Sequence, residues 1–116
     1  MTTATDQELI TRAVADYFEG WFDGDVTRMD RALHPDLMKR SPAGDLGVIL
    51  TKDQMLKFTA MGDGVRAADR DLEVTIEDIY QDAASVTARS VPYYEYLHLV
   101  RTADDWKIVN SLWLPR

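Results

Sequence analysis

Apolar residues recur at three- and four-residue steps from about Gln7 to Phe22, namely Leu9, Ile10, Ala13, Val14, Tyr17, Phe18, Trp21 and Phe22. This spacing predicts an amphipathic helix with a wide apolar face, stopped by Gly24. Asp25 is placed to cap a second, shorter helix that turns Val26, Met29, Ala32 and Leu33 inward, and Pro35 prevents its continuation. From Leu37 to Leu50 the pattern is short and mixed. Ser41-Pro-Ala-Gly44 and Asp45 supply turn material there, which predicts an irregular hairpin. Thr51-Lys-Asp-Gln54 then matches a capping box, with Leu50 and Met55 at the two staple positions. A third helix begins at this point, with Met55, Phe58 and Met61 on its buried side and Gly62 and Gly64 to end it.

After the polar stretch 65–70 the period changes to two. Strands are expected from Leu72 to about Tyr80, from Ser85 to Val91, from Tyr93 to Thr102 and from Trp106 to Leu114, with turns at Gln81-Asp82 and Ala103 to Asp105. Helices followed by an antiparallel meander indicate an α+β fold, and neither a GxGxxG nor a Walker lysine motif is present. The last two strands are apolar on both faces. Tyr94, Tyr96, His98 and Val100 share one side of the third, opposite Tyr93, Leu97 and Leu99. In the fourth, Trp106, Ile108, Asn110 and Leu112 oppose Val109, Ser111 and Trp113. A sheet with one wet face alternates more cleanly. One face is therefore expected to cover the helices and a pocket, and the other to meet a second copy in a symmetric homodimer or to lie under a loop.

Composition narrows the chemistry. The 116 residues suit one domain spanning 1–116, with 1–6 as a flexible tail. There is no cysteine, and the two histidines lack metal-ligand spacing, so neither a metal nor another cofactor is expected. A net charge of -7 without a basic run argues against nucleic acid as partner. No apolar run approaches a membrane span, and the first residues lack a basic, apolar export start. A cytoplasmic protein with no membrane partner is the expectation.

Several strings resemble the nuclear transport factor 2-like (NTF2-like) superfamily and, within it, the putative lumazine-binding or SnoaL-like group. They are Asp16-Tyr-Phe-Glu-Gly-Trp21 through Asp25, Ala32-Leu-His-Pro-Asp36, Glu95-Tyr-Leu-His-Leu99, and Trp106-Lys-Ile-Val-Asn110 through Trp113. The resemblance implies a cone-shaped fold in which a strongly curved antiparallel sheet wraps the N-terminal helices and leaves a cavity. It also implies a homodimer, but no single reaction, because this fold hosts isomerases, cyclases, dehydratases and non-enzymatic binding domains. Compared with ketosteroid isomerases of the same superfamily, the oxyanion tyrosine falls on Tyr17 and the second donor on His98. The base position falls on Ser41, which cannot abstract a carbon-bound proton unaided, so that activity does not carry over.

Tyr17 and Trp21, one helical turn apart, either point into the cavity together or form an aromatic core. His98, Asn110, Tyr94 and Tyr96 are the candidate polar anchors on one strand face, with His98 and Asn110 expected as cross-strand neighbours. Their pairing either contacts a ligand or only sets register. Leu33, Leu37, Phe58 and Met61 supply apolar lining or ordinary core, and His34 reads most simply as a helix terminus. The first functional expectation is a small-molecule-binding domain for an aromatic or polycyclic ligand. A metal-free cyclase, isomerase or dehydratase using His98 and Tyr17 is the second, and a protein-interaction module the third.

Overall fold

The computed structural model describes residues 4–65 and 69–116. Helix α1 (Asp6–Asp23) opens at Thr5, whose hydroxyl accepts from the Glu8 amide at 3.1 Å, and closes at Gly24 in the left-handed conformation (φ 65°). Its buried side is Ile10, Ala13, Val14, Tyr17, Phe18 and Phe22, the stripe that the spacing predicts. Asp25 caps α2 (Val26–Ala32) through the Arg28 amide. Thr5 and Asp6 correct the expectation of a tail over 1–6. Asp6 begins the helix and accepts from Arg101 Nη2 at 2.7 Å and Trp106 Nε1 at 3.1 Å, while residues 1–3 lie outside the described residues.

The chain passes from α2 directly into strand β1 (Leu33–Arg40). The expected hairpin over 37–50 is reduced to a single antiparallel bridge between Lys39 and Leu50. Strand β1 finds its partner far away in sequence, pairing parallel with β5 at the sheet edge, and the register breaks between Leu33 and Met38, around Pro35. A proline that cannot donate to the ladder is tolerated at such an edge. Helix α3 (Lys52–Ala60) carries the complete capping box: the Gln54 amide donates to the Thr51 hydroxyl at 3.3 Å, and the Thr51 amide donates to Gln54 Oε1 at 2.9 Å. Met55 is buried, but Met61 is 67% exposed at the helix end, so the inward placement expected for it is corrected.

Strands β2 (Glu73–Tyr80), β3 (Ala83–Arg89), β4 (Tyr93–Thr102) and β5 (Asp105–Pro115) form the antiparallel meander, in the sheet order β1-β5-β4-β3-β2. The fold is α+β: the described residues form three helices packed in the curve of a five-stranded sheet. Its core joins Ile10, Val14, Phe18, Phe22 and Met29 to Val86, Leu97, Leu99, Trp106 and Ile108.

One irregularity decides which side chains face inward. Between the pairs His98↔Asn110 and Leu99↔Ile108, β5 carries one extra residue, Val109. This bulge reverses the alternation. Trp106 and Ile108 point to the helices before it, and Ser111 and Trp113 do so after it, with Asn110, Leu112 and Leu114 on the outer face. The expected grouping of Asn110 and Leu112 with Ile108 is thereby corrected.

Candidate functional site

Between α1, α3 and the sheet lies a cavity of about 110 Å³. Its walls are mainly apolar and aromatic: Phe18 and Trp21 from α1, Met55 and Phe58 from α3, Leu50 ahead of α3, Tyr93 from β4 and Trp113 from β5. The Trp21 indole donates to the Tyr93 hydroxyl at 3.2 Å, and Tyr93 stacks on Phe22 at 6.3 Å, which holds this wall in place. Beyond Leu50 and Trp113, which border both spaces, a more open groove of about 450 Å³ runs between residues 40–50 and the end of β5.

One end of the cavity is polar. Tyr17 donates to Glu95 Oε1 at 2.7 Å, and Ser111 donates to the same oxygen at 2.8 Å. Lys39 Nζ donates to the Tyr17 hydroxyl and lies 3.6 Å from Glu95 Oε1. Four elements converge here, α1, β1, β4 and β5, and all four side chains are buried. The charges offset each other, and no buried polar side-chain atom among the described residues lacks a partner. Burial pushes the Tyr17 phenol well above its ordinary range, and the neighbouring Glu95 charge adds to that, so Tyr17 stays a neutral donor. Burial also pulls the Lys39 ammonium below its ordinary value, outweighing the opposite pull of Glu95. The cluster can present donors, an acceptor and a proton-exchanging amine to whatever enters from the aromatic side.

Of the residues expected at a pocket, Tyr17, Trp21 and Phe58 line this cavity. Leu33 and Leu37 are buried in the adjoining core. Tyr94, Tyr96, His98 and Asn110 are placed on the opposite face of the sheet, which corrects their expected orientation. Glu95, Leu97 and Leu99 take the inner positions of β4, so His98 and the 48%-exposed Tyr96 point away from the helices. His98 and Asn110 are paired across the ladder as expected, with Asn110 Nδ2 3.3 Å from His98 Nδ1, but outside. Ser41 lies past the end of β1, where its hydroxyl accepts from the Ala43 amide, and it borders the outer groove.

Glu95 and Lys39 escaped the sequence reading. For Glu95 a signal existed, because it shares the period-two side with Tyr93, Leu97 and Leu99 and is the one charge between those apolar positions. Lys39 offered none, since its burial depends on the distant pairing of β1 with β5. Among the described residues no cluster of three His, Asp or Glu side chains could hold a metal ion, and no helix is long and apolar enough to cross a membrane.

Comparison with solved structures places the fold. An NTF2-like protein of unknown function from Silicibacter pomeroyi DSS-3 superposes with a TM-score of 0.75 at 18% identity, covering 100% of each chain. A putative ketosteroid isomerase from Shewanella frigidimarina gives 0.70 at 16% identity, covering 91% of this chain and 94% of its own. A putative Ca/calmodulin-dependent kinase II association domain from Exiguobacterium sibiricum also gives 0.70, at 10% identity, covering 100% and 97%. Such distant likenesses establish the NTF2-like architecture and nothing of the chemistry. None of the curated proteins matches the chain. The family model described as "putative lumazine-binding" matches residues 5–114, from the cap of α1 to the end of β5, and the chain belongs to that family.

Proposed function

We propose that this protein binds a small aromatic or heteroaromatic molecule, one ring inserted between Trp21, Phe58 and Trp113 and its polar edge turned to Tyr17, Lys39 and Glu95. The observation that supports this reading is an aromatic-walled cavity with both of its charged groups, Lys39 and Glu95, gathered with the Tyr17 hydroxyl at one end. Size restricts the occupant. About 110 Å³ is below the range of roughly 300–1,000 Å³ usual for drug-sized ligands and close to the roughly 150 Å³ that admits benzene. A polycyclic ligand therefore keeps its remaining rings in the groove beyond Leu50 and Trp113. The family's description as putative lumazine-binding makes lumazine, a two-ring heteroaromatic, the first ligand to test.

Trp21 and Trp113 border the cavity, so occupancy is read directly from indole fluorescence. Titration with lumazine and with single-ring heteroaromatics is expected to quench saturably in the parent protein and to lose that response in Met55→Trp, whose added volume fills the space. Absence of saturable quenching, or equal affinity in the filled variant, overturns the reading. A metal-free enzyme of the SnoaL-like kind has weaker support, because His98 lies on the far side of the sheet from Tyr17. If such an activity exists, Glu95 is better placed as the proton acceptor. The outer face, with Tyr94, Tyr96, Leu112 and Leu114 clustered on β4 and β5, supports a homodimer packed sheet to sheet.

A further inference from the structure

We propose that Lys39 captures carbonyl compounds: a small aromatic aldehyde that enters the cavity condenses with its Nζ to an iminium paired with Glu95. The inference rests on the reading of the cavity as a single-ring binding site. It starts from the placement of the four lysines. Lys57 is exposed, the Lys52 ammonium bridges Asp30 at 3.0 Å, and Lys107 Nζ donates to the Arg31 carbonyl at 2.7 Å. Lys39 alone borders the cavity. Its Nζ lies 4.8 Å from the centroid of the Tyr17 ring and 5.6 Å from that of Trp113, with Glu95 Oε1 3.6 Å away.

An amine attacks a carbonyl only when unprotonated, and a lysine in an apolar pocket reaches that form more readily than one in water. The site offers burial for this purpose and a carboxylate to receive the proton. Glu95 takes one proton from the Lys39 ammonium. The freed electron pair on Nζ forms the C–N bond while the carbonyl π pair moves to oxygen. One nitrogen proton passes to that oxygen, leaving a neutral carbinolamine. Glu95 then returns its proton to the hydroxyl, which departs as water as the nitrogen pair forms the C=N bond. The balance is ammonium plus aldehyde giving iminium plus water, with the Glu95 carboxylate regenerated beside the new cation. Tyr17 holds the nitrogen through its hydroxyl, and the aryl ring takes the space between Trp21 and Phe58. The small volume selects an aldehyde over a ketone with two large substituents.

The test is to incubate the full chain with benzaldehyde and cyanoborohydride near neutral pH and to map benzylated lysines by peptide mass spectrometry over time. Lys39 is expected to label on the order of tenfold faster than Lys57, as binding raises the local aldehyde concentration. Labelling of Lys39 no faster than Lys57, or whole-protein labelling unchanged in Lys39→Arg, overturns the proposal. Benzyl alcohol, which has the ring but no carbonyl, separates the two readings. If it quenches the cavity tryptophans while Lys39 stays unlabelled, the amine chemistry fails and ring binding stands. If neither compound engages the cavity, both fail.

Discussion

Replacing Glu95 by Gln keeps the shape of the side chain and an amide oxygen for Tyr17 and Ser111, but removes the negative charge 3.6 Å from the Lys39 ammonium. The magnitude can be bounded in two ways. Coulomb attraction at that distance and an effective dielectric constant of about 20 is about 4.6 kcal/mol. Alternatively the lysine discards its proton. From an ordinary value of about 10.4 down to pH 7 that costs about 1.36 kcal/mol per unit, or about 4.6 kcal/mol in all. Both are ceilings, because Lys39 retains its contact with Tyr17 and some access to water. The expected loss is about 2–4 kcal/mol at pH 7.

The second route gives the variant a distinctive pH response. A lysine whose folded value is depressed binds fewer protons when folded than when unfolded, so stability rises with pH up to the unfolded value. The deficit of Glu95→Gln should therefore shrink between neutral pH and about pH 10. Urea unfolding of parent and variant across that range, followed by far-UV circular dichroism, measures it, and Lys39→Met in the Glu95→Gln background should recover part of the loss. A deficit below about 1 kcal/mol at pH 7 that does not change with pH would refute a buried, paired Lys39.

Two further outcomes follow from other parts of the molecule. Asp16, buried on α1, accepts from Arg31 Nε at 2.8 Å and Arg28 Nε at 2.9 Å. Burial pushes its carboxyl up, but Arg31 and Arg28 together hold it below the ordinary value. Its stabilising contribution is present above about pH 4 and lost as pH falls through the depressed folded value, so Asp16→Asn should cost about 2 kcal/mol at pH 6 and progressively less in acid. A gap in urea midpoint that stays constant from pH 6 to pH 3 would contradict this. On the outer face, Tyr96→Lys puts a charge at the centre of the proposed dimer contact; light scattering at micromolar concentration should give a dimer mass for the parent and a monomer mass for the variant. A monomeric parent removes the sheet-to-sheet dimer.

Local chemistry made much of the architecture legible. The capping box at Thr51, the glycine stop at Gly24 and the aromatic stripe of α1 act within a few residues, and each appears where the spacing puts it. The β4 bounds, Tyr93 to Thr102, and the facing of His98 with Asn110 also came through, since a short loop between long apolar runs restricts the register. What failed depends on contacts distant in sequence. Which side of β4 is buried is settled by the helices it packs against, and two aromatic-rich faces gave the alternation no preference. The Val109 bulge has no local signature, yet it decides the direction of Ser111 and Trp113. Lys39 carried no signal in the sequence because the parallel partner of β1 comes some seventy residues later.

That parallel pairing also orders events in time. Among the described strands β1 pairs with β5 alone, and apart from the bridge between Lys39 and Leu50 its place in the sheet waits for residues 108–112. Asp6, at the start of α1, likewise waits for Arg101 and Trp106. The polar end of the cavity, assembled from Tyr17, Lys39, Glu95 and Ser111, therefore spans most of the chain, and closing it costs the loop entropy of bringing such distant residues together. A slower approach to the native state than local contacts alone would allow is the expected kinetic cost of building one site from both ends of the sequence.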